Sequence, residues 1–268
     1  MKPTSVIIVR SVDTLVVERR DGIVTVTMNR PQKKNAVTGT MTSELTSVFR
    51  EVALSREDRV LVLTGAGGDF SSGADLTDSA GELTGSGLYY MRRISDLALA
   101  LHAVPQPTIA KVPGVAAGMS ANLAFGCDLV VASEEARFSE IFARRGLSLD
   151  CGGSWVLPRR VGLHKAFELA YFADVLSAAE AAELGLVNRV VPAAELDKAV
   201  DDWTGRLAAG PPLALSMIKA QLHVGAESSL AQALEYEATC QTVNFNSADT
   251  AEAMAAFVQK REPKFQGR

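Results

Sequence analysis

A chain of 268 residues, 47% hydrophobic and 22% charged, can bury a substantial core and has room for one domain or two. Its net charge of −4 leaves no basic stripe for nucleic acid, and its most apolar long window, 112–132, is broken by Pro113, Asn122 and Asp128, so it is not a membrane span. Cys127, Cys151 and Cys240 form no C-x-x-C pair, and the first apolar run, Val6 to Val9, is too short for a signal peptide, so a cytoplasmic location is expected; His102, His164 and His223 lie too far apart for a metal cluster or a triad, and no metal is expected.

Along the chain the pattern is α/β. Leu15 to Glu18 and Ile23 to Met28 alternate around Arg20-Asp21-Gly22, which predicts a β-hairpin. After Arg30-Pro31, the residues Met41, Leu45, Val48, Phe49 and Val52 recur at helical spacing. Val60 to Leu63 is a continuous apolar run, as in a strand covered on both faces. Residues 78–87, rich in Gly, Ser and Thr, read as a mobile loop, followed by a helix with Leu88, Met91, Ile94, Leu97 and Leu101 on one face. Thr108 to Val112 and Leu129 to Ala132 are strands flanking a short apolar helix that opens at Gly118. Ser177 and Glu180 have capping-box spacing, with Gly185 at the helix stop. A strand from Leu186 to Val191 ends at Pro192, and the remainder reads as helical, with Asp249 and Glu252 at one expected N-terminus. Strands dominate the first two-thirds, which suggests a core over 1–200 and a helical region over 201–268.

Two glycine-rich loops stand out. Thr64-Gly65-Ala66-Gly67-Gly68-Asp69-Phe70-Ser71-Ser72-Gly73-Ala74-Asp75-Leu76 follows the Val60 strand, and Val112-Pro113-Gly114-Val115-Ala116-Ala117-Gly118-Met119 leads into the apolar helix. A helix start carries unpaired amides and the positive end of the helix dipole, which suits negative charge, including charge that develops only during a reaction. Neither loop is followed by Lys-Ser or Lys-Thr and no G-x-G-x-x-G opens a helix, so phosphate-loop and dinucleotide fingerprints are absent. Ser120 lacks the last glycine of a nucleophile elbow.

Together the loops resemble the signature loops of the crotonase superfamily, the enoyl-CoA hydratase/isomerase fold, with agreement from Met28-Asn29-Arg30-Pro31 to the C-terminal tail. The resemblance implies a spiral of ββα units followed by a helical trimerisation region, giving a homotrimer or a dimer of trimers. It implies an acyl-CoA substrate with no further cofactor, and an oxyanion hole made by the amides of Ala74 and Met119. No sequence period reveals the ββα units.

Hydratases of that family use two glutamates, and these positions hold Asn122 and Phe142, neither of which can act as a base near neutral pH. Leu147-Ser148-Leu149-Asp150-Cys151-Gly152-Gly153-Ser154-Trp155 instead resembles a subgroup that includes epoxyphenylacetyl-CoA isomerases and some enoyl-CoA isomerases. In that subgroup the aspartate before the glycine pair is the acid/base, which here is Asp150. Among Leu149, Phe142 and Trp155 its carboxyl would be poorly solvated and its pKa raised. Asp is also a good helix cap, and Asp150 could serve only to cap a helix starting near Gly152. Glu140 could face the pocket, although a glutamate at a strand end is usually solvated.

The resemblance places CoA recognition on main chain near Arg30 and Ser72, Asp75 and Leu76, with Lys33 and Lys34 in reach of phosphates and Lys260 supplied by a neighbouring subunit; Gly118, Asn122 and Phe142 would line the acyl site. Isomerisation is the expected reaction, with hydration through Asp150 as the alternative. A homologue that binds acyl-CoA without turnover would also keep both loops, whereas a scaffold homologue would need neither.

Overall fold

The computed structural model describes residues 8–268, without the side chains of 78–86; of the apolar run at Val6, only Ile8 and Val9 are therefore described. In chain order its elements are β1 (Ile8–Ser11), β2 (Leu15–Arg20), β3 (Ile23–Met28), α1 (Gly39–Leu54), β4 (Val60–Gly65), α2 (Leu76–His102), β5 (Thr108–Val112), β6 (Val115–Ala117), α3 (Met119–Gly126), β7 (Leu129–Ser133) and β8 (Arg137–Ser139). They continue as α4 (Gly153–Val161), α5 (Leu163–Phe172), β9 (Leu176–Ser177), α6 (Ala178–Glu183), β10 (Arg189–Val191), α7 (Leu196–Ala208), α8 (Pro212–Gly225), α9 (Leu230–Phe245) and α10 (Ala248–Gln259).

The main sheet has seven strands in the order β1-β2-β3-β4-β5-β7-β10, antiparallel through β3 and parallel thereafter. The hairpin expected at Asp21-Gly22 is present, with both turn residues at positive φ, as its tight connection demands. A second sheet, β6-β8-β9, lies beside it. Val60 to Leu63 is buried on both faces: Leu61 and Leu63 enter the main core, and Val60 and Val62 a second one with Ile109, Val131, Leu196, Ala199 and Val200. Helix α7 supplies this second cover and runs through residue 200.

Helix α1 shows how the periodic segments fold. Thr38 caps it by accepting from the Met41 amide, and Met41, Leu45, Val48, Phe49 and Val52 are all buried along one face. Each such side chain contributes roughly 1.5–3 kcal/mol by leaving water.

Four expectations need correcting. The segment 78–87 is not a loop: α2 is continuous from its cap at Asp75 to His102. No proline interrupts it, and glycine lowers helix stability by only about 1 kcal/mol, so cap and apolar face together carry the helix through. On that helix Ile94, Leu97 and Leu101 are buried, but Leu88 is 63% exposed. The N-cap of α10 is Ser247, not Asp249; the Asp249 carboxylate instead accepts from the amides of Gln266 and Gly267, pinning the tail. The strand before Pro192 shortens to Arg189–Val191, because Asn188 spends its side-chain oxygen on the Val130 amide. The capping box at Ser177 forms as expected.

Candidate active site

The loop after β4 and the turn before α3 are tied together through main chain. The Ser71 amide donates to Val115 O at 2.9 Å and the Ala117 amide to Ser71 O at 3.0 Å. Gly73, at φ +96°, lets the strands close: a Cβ there would lie 2.8 Å from Ala117 O. Asn35 is fully buried and donates from Nδ2 to Ala66 O and Asp69 O, holding the first loop from beneath. The Ser71 hydroxyl donates to Asn35 O at 2.7 Å, so the Ser120 hydroxyl donates to Ser71 Oγ, also at 2.7 Å. Ser120 is a structural clasp.

This lacing leaves two amides unspent. Val37 donates to Gly73 O and accepts from the Asp75 amide, so the Ala74 N–H between them has no acceptor among the described residues. Gly118 adopts φ 54° and ψ −132°, its amide donates to Ser139 O at 2.9 Å, and α3 then begins at Met119 with no capping side chain. The Met119 N–H is likewise without an acceptor among the described residues. Two free amides on adjoining loops, one at the positive end of a buried helix, can hold an oxygen on which negative charge develops.

Asp150 lies in the loop just before α4. Its carboxyl is mostly withdrawn from water, with Oδ1 buried and unpartnered, and this desolvation pushes its pKa up to about 6. It does not cap a helix: the N-cap of α4 is Gly152, at φ 84°, with no side-chain capping bond. Asn122, one turn into α3, donates from Nδ2 to Asp150 O at 3.0 Å, while its Oδ1 is buried without a partner. Gly153 permits that contact, since a Cβ there would meet the Asn122 amide at 2.4 Å. Phe142 is 5% exposed and packs beside Gly118, whose missing Cβ would stand 3.7 Å from its ring. The Trp155 ring has Arg159 over its face at 4.2 Å and His102 edge-on at 5.2 Å.

Of the two readings of Glu140, facing the pocket or solvated at the strand end, the solvated one fails: Glu140 is 3% exposed with neither carboxyl oxygen hydrogen-bonded. Burial, reinforced by the charge of Asp150, pushes its pKa up to about 8, against a smaller opposite pull from Asn122. Ser139 beside it and Phe142 two residues on both touch the Gly118 turn, a tertiary contact that no local signal in the sequence announces.

The side chains proposed around CoA divide into engaged and free. Arg30 donates to Asp75 at 3.0 Å and to Ala36 O, and Asp75 caps α2 by accepting from the Thr77 amide. The Thr77 hydroxyl, ahead of Arg30, holds the Asp75 carboxyl down at about 2. Lys33, Ser72 and Leu76 are exposed, and Lys34 reaches Asp69 at 3.6 Å. Lys260 ends α10 in the left-handed region, exposed, and has no hydrogen bond or ion pair to either loop within this chain.

A cavity of about 850 Å³ starts at Asn122, Cys151 and Gly152 and runs between α2, α4 and α8 to Trp155, His102 and His223. His102 and His223, widely separated in the chain, bring their rings to within 4.4 Å of each other. Both have lowered pKa values, first through burial. Among the described residues no cluster of His, Cys, Asp or Glu could hold a metal ion, and no helix is long and apolar enough to cross a membrane.

Comparison with known proteins gives a consistent picture. Residues 18–268 match the family described as Enoyl-CoA hydratase/isomerase. A protein of Rhodobacter capsulatus named "probable enoyl-CoA hydratase" is 38% identical over 258 residues, covering 96% of this chain and all of that one. The 1,2-epoxyphenylacetyl-CoA isomerase of Escherichia coli is 36% identical over 251 residues, covering 92% and 96%. The crystal structure of an enoyl-CoA hydratase from Mycobacterium smegmatis superposes with a TM-score of 0.89 at 34% identity, covering 95% and 99%. The two laced loops, the paired sheets and these matches agree: the chain belongs to the enoyl-CoA hydratase/isomerase family and has the crotonase fold.

Proposed function

We propose that the chain is an enoyl-CoA isomerase that moves a proton with one carboxylate, Asp150. The observation that carries this reading is the Asp150 carboxyl, buried, unpartnered at Oδ1 and free of any capping duty. A carboxyl with a pKa near 6 is ionised enough at neutral pH to take a proton and basic enough to hold it. Asn122 and Phe142 offer no second base at the usual hydratase positions.

In this reading the thioester oxygen of a 3-enoyl-CoA sits between the amides of Ala74 and Met119. The Asp150 carboxylate removes a proton from carbon 2, and the electron pair delocalises to the thioester oxygen as a dienolate. Each amide donor is worth roughly 3–4 kcal/mol to such an oxyanion. Protonated Asp150 then returns the proton to carbon 4, which leaves the double bond between carbons 2 and 3. The reaction is a proton shift and calls on no cofactor beyond the CoA ester. The cavity starting at Asn122 and Cys151 is the place for the acyl group. Main chain at Arg30 and 72–76 would hold the nucleotide end, with Lys33 near the phosphates; Arg30 and Asp75 would act by bracing each other.

Assembly completes the proposal. Leu222, Leu230, Leu234, Phe245, Phe257 and Val258 are exposed on α8–α10, more apolar surface than a lone subunit usually shows, and a trimer or dimer of trimers would cover it. Lys260 would then reach the CoA site of a neighbour.

The test is Asp150→Asn assayed with 2-enoyl, 3-enoyl and epoxyaryl thioesters. Turnover of the 3-enoyl ester should fall by roughly 10²–10⁴ while CoA-ester affinity barely changes. Full activity in Asp150→Asn would end the single-carboxylate reading. Faster wild-type hydration of the 2-enoyl ester than isomerisation of the 3-enoyl ester would make the protein a hydratase that works through Asp150.

A further inference from the structure

Glu140 follows β8 directly, and its carboxyl is enclosed by protein on every side described. A cleft behind it is lined by Phe125, Phe138, Leu157, Leu169 and Leu186, with Asp174 at the edge. No Lys, Arg or His lines that cleft, and the Asp174 carboxylate is exposed and paired with Arg144. The charged group that acts on Glu140 is therefore Asp150; the nearby thiol of Cys151 stays protonated because burial raises its pKa.

Four buried acceptor atoms here lack a donor: both oxygens of Glu140, Oδ1 of Asn122 and Oδ1 of Asp150. An ionised carboxylate cannot satisfy an amide oxygen, since both only accept. A neutral carboxylic acid can. Its O–H is a donor that Asn122 Oδ1 lacks, on an amide that already acts on the Glu140 carboxyl. Asn122 Nδ2 is spent on Asp150 O, which fixes the amide's orientation. Gly153 closes the opposite side of the amide and stops it from swinging out.

We propose that Glu140 is a positioning residue: as a neutral acid it pairs with the Asn122 amide and through it holds the Asp150 main chain in place. When Glu140 ionises, the acid–amide pair is lost and a second negative charge arises beside Asp150, so turnover declines on the alkaline side. The inference rests on the reading that Asp150 carries the proton. It assigns Glu140 no contact with substrate.

The experiment is the pH profile of kcat and KM for 3-enoyl-CoA isomerisation in wild type, Glu140→Gln and Glu140→Leu. Wild-type kcat should rise through about pH 6 and fall through about pH 8, as Asp150 and then Glu140 lose their protons. Glu140→Leu should lower kcat roughly ten- to a hundredfold with little change in KM, the cost of leaving the buried amide unpaired. Glu140→Gln restores a donor and an acceptor but cannot ionise, so it should recover most of that loss and abolish the alkaline fall. An alkaline fall that persists unchanged in Glu140→Gln would overturn the proposal. A loss in Glu140→Gln as large as in Asp150→Asn would also overturn it, by making Glu140 a proton carrier. Infrared difference spectra of wild type against Glu140→Gln give a check independent of activity: a protonated-carboxyl stretch at pH 7 that disappears above pH 9 is expected, and its absence at pH 7 would refute the neutral acid. Undiminished activity in Asp150→Asn would instead remove the underlying reading, and the infrared band would still report on Glu140.

Discussion

The side-chain amide of Asn122 donates to the main-chain oxygen of Asp150 at 3.0 Å, joining the first turn of α3 to the loop that carries the Asp150 carboxyl. Asn122 is thereby a strut between the two. In the proposed reading it sets the oxyanion amide of Met119 relative to the proton carrier. Replacing Asn122 with Ala should lower kcat about tenfold, with KM nearly unchanged, because a buried carbonyl loses its partner. An unchanged kcat would show that the loop holds its own shape.

The rise of activity with pH should follow Asp150. Its pKa is raised from 3.8 to about 6, so the carboxylate form that takes the proton appears only above that value. The same shift has a stability consequence. Between about pH 4 and 6 the folded chain keeps a proton that the unfolded chain has lost, so stability falls as pH rises through that window. Asp150→Asn removes this fall, and its Tm should exceed that of wild type at pH 7.5 by more than at pH 4. Calorimetry at the two pH values decides the point.

The proposed oxyanion donors are main-chain groups, which makes side-chain identity at Met119 secondary. Met119→Ala should retain much of the activity, whereas Met119→Pro removes the N–H itself and should abolish turnover. Circular dichroism would confirm that the proline variant is folded, since proline is tolerated at the first position of a helix. Robust activity in folded Met119→Pro would move the oxyanion site elsewhere.

Gly153 should resist substitution for a steric reason. A Cβ there meets the Asn122 side chain at 2.4 Å, and that side chain is held at its far end by Asp150. Gly153→Ala should cost roughly 1–3 kcal/mol in stability, the usual range for overpacking, and should reduce kcat as well. Urea unfolding with an unchanged midpoint would show that Asn122 can move aside.

Light scattering at micromolar concentration should report a trimer or hexamer. A monomer would leave Leu222, Phe245 and Phe257 in water and would leave Lys260 without its proposed neighbour.

What the sequence determined by itself is local. The hairpin at Asp21-Gly22, the amphipathic face of α1, the doubly buried β4 and the capping box at Ser177 are each specified by residues within a few positions of one another. The two glycine loops were legible for the same reason, because a turn needing positive φ or close main-chain approach constrains residue type where it occurs. Asp150 was legible as a choice between acid and cap, and the helix start at Gly152 removes the cap from that choice. The tertiary structure alone decided what depends on solvent exclusion and long-range meeting. Glu140 is buried because α3, α4 and α5 close over the end of β8, and no property of the strand announces that. His102 and His223 meet because α8 packs back across α2, 121 positions later in the chain. Burial sets the protonation state of a carboxyl, and burial is a property of the packed whole; apolar residues beside Asp150 in sequence foretold its raised pKa, whereas the elements that enclose Glu140 come together only in the fold.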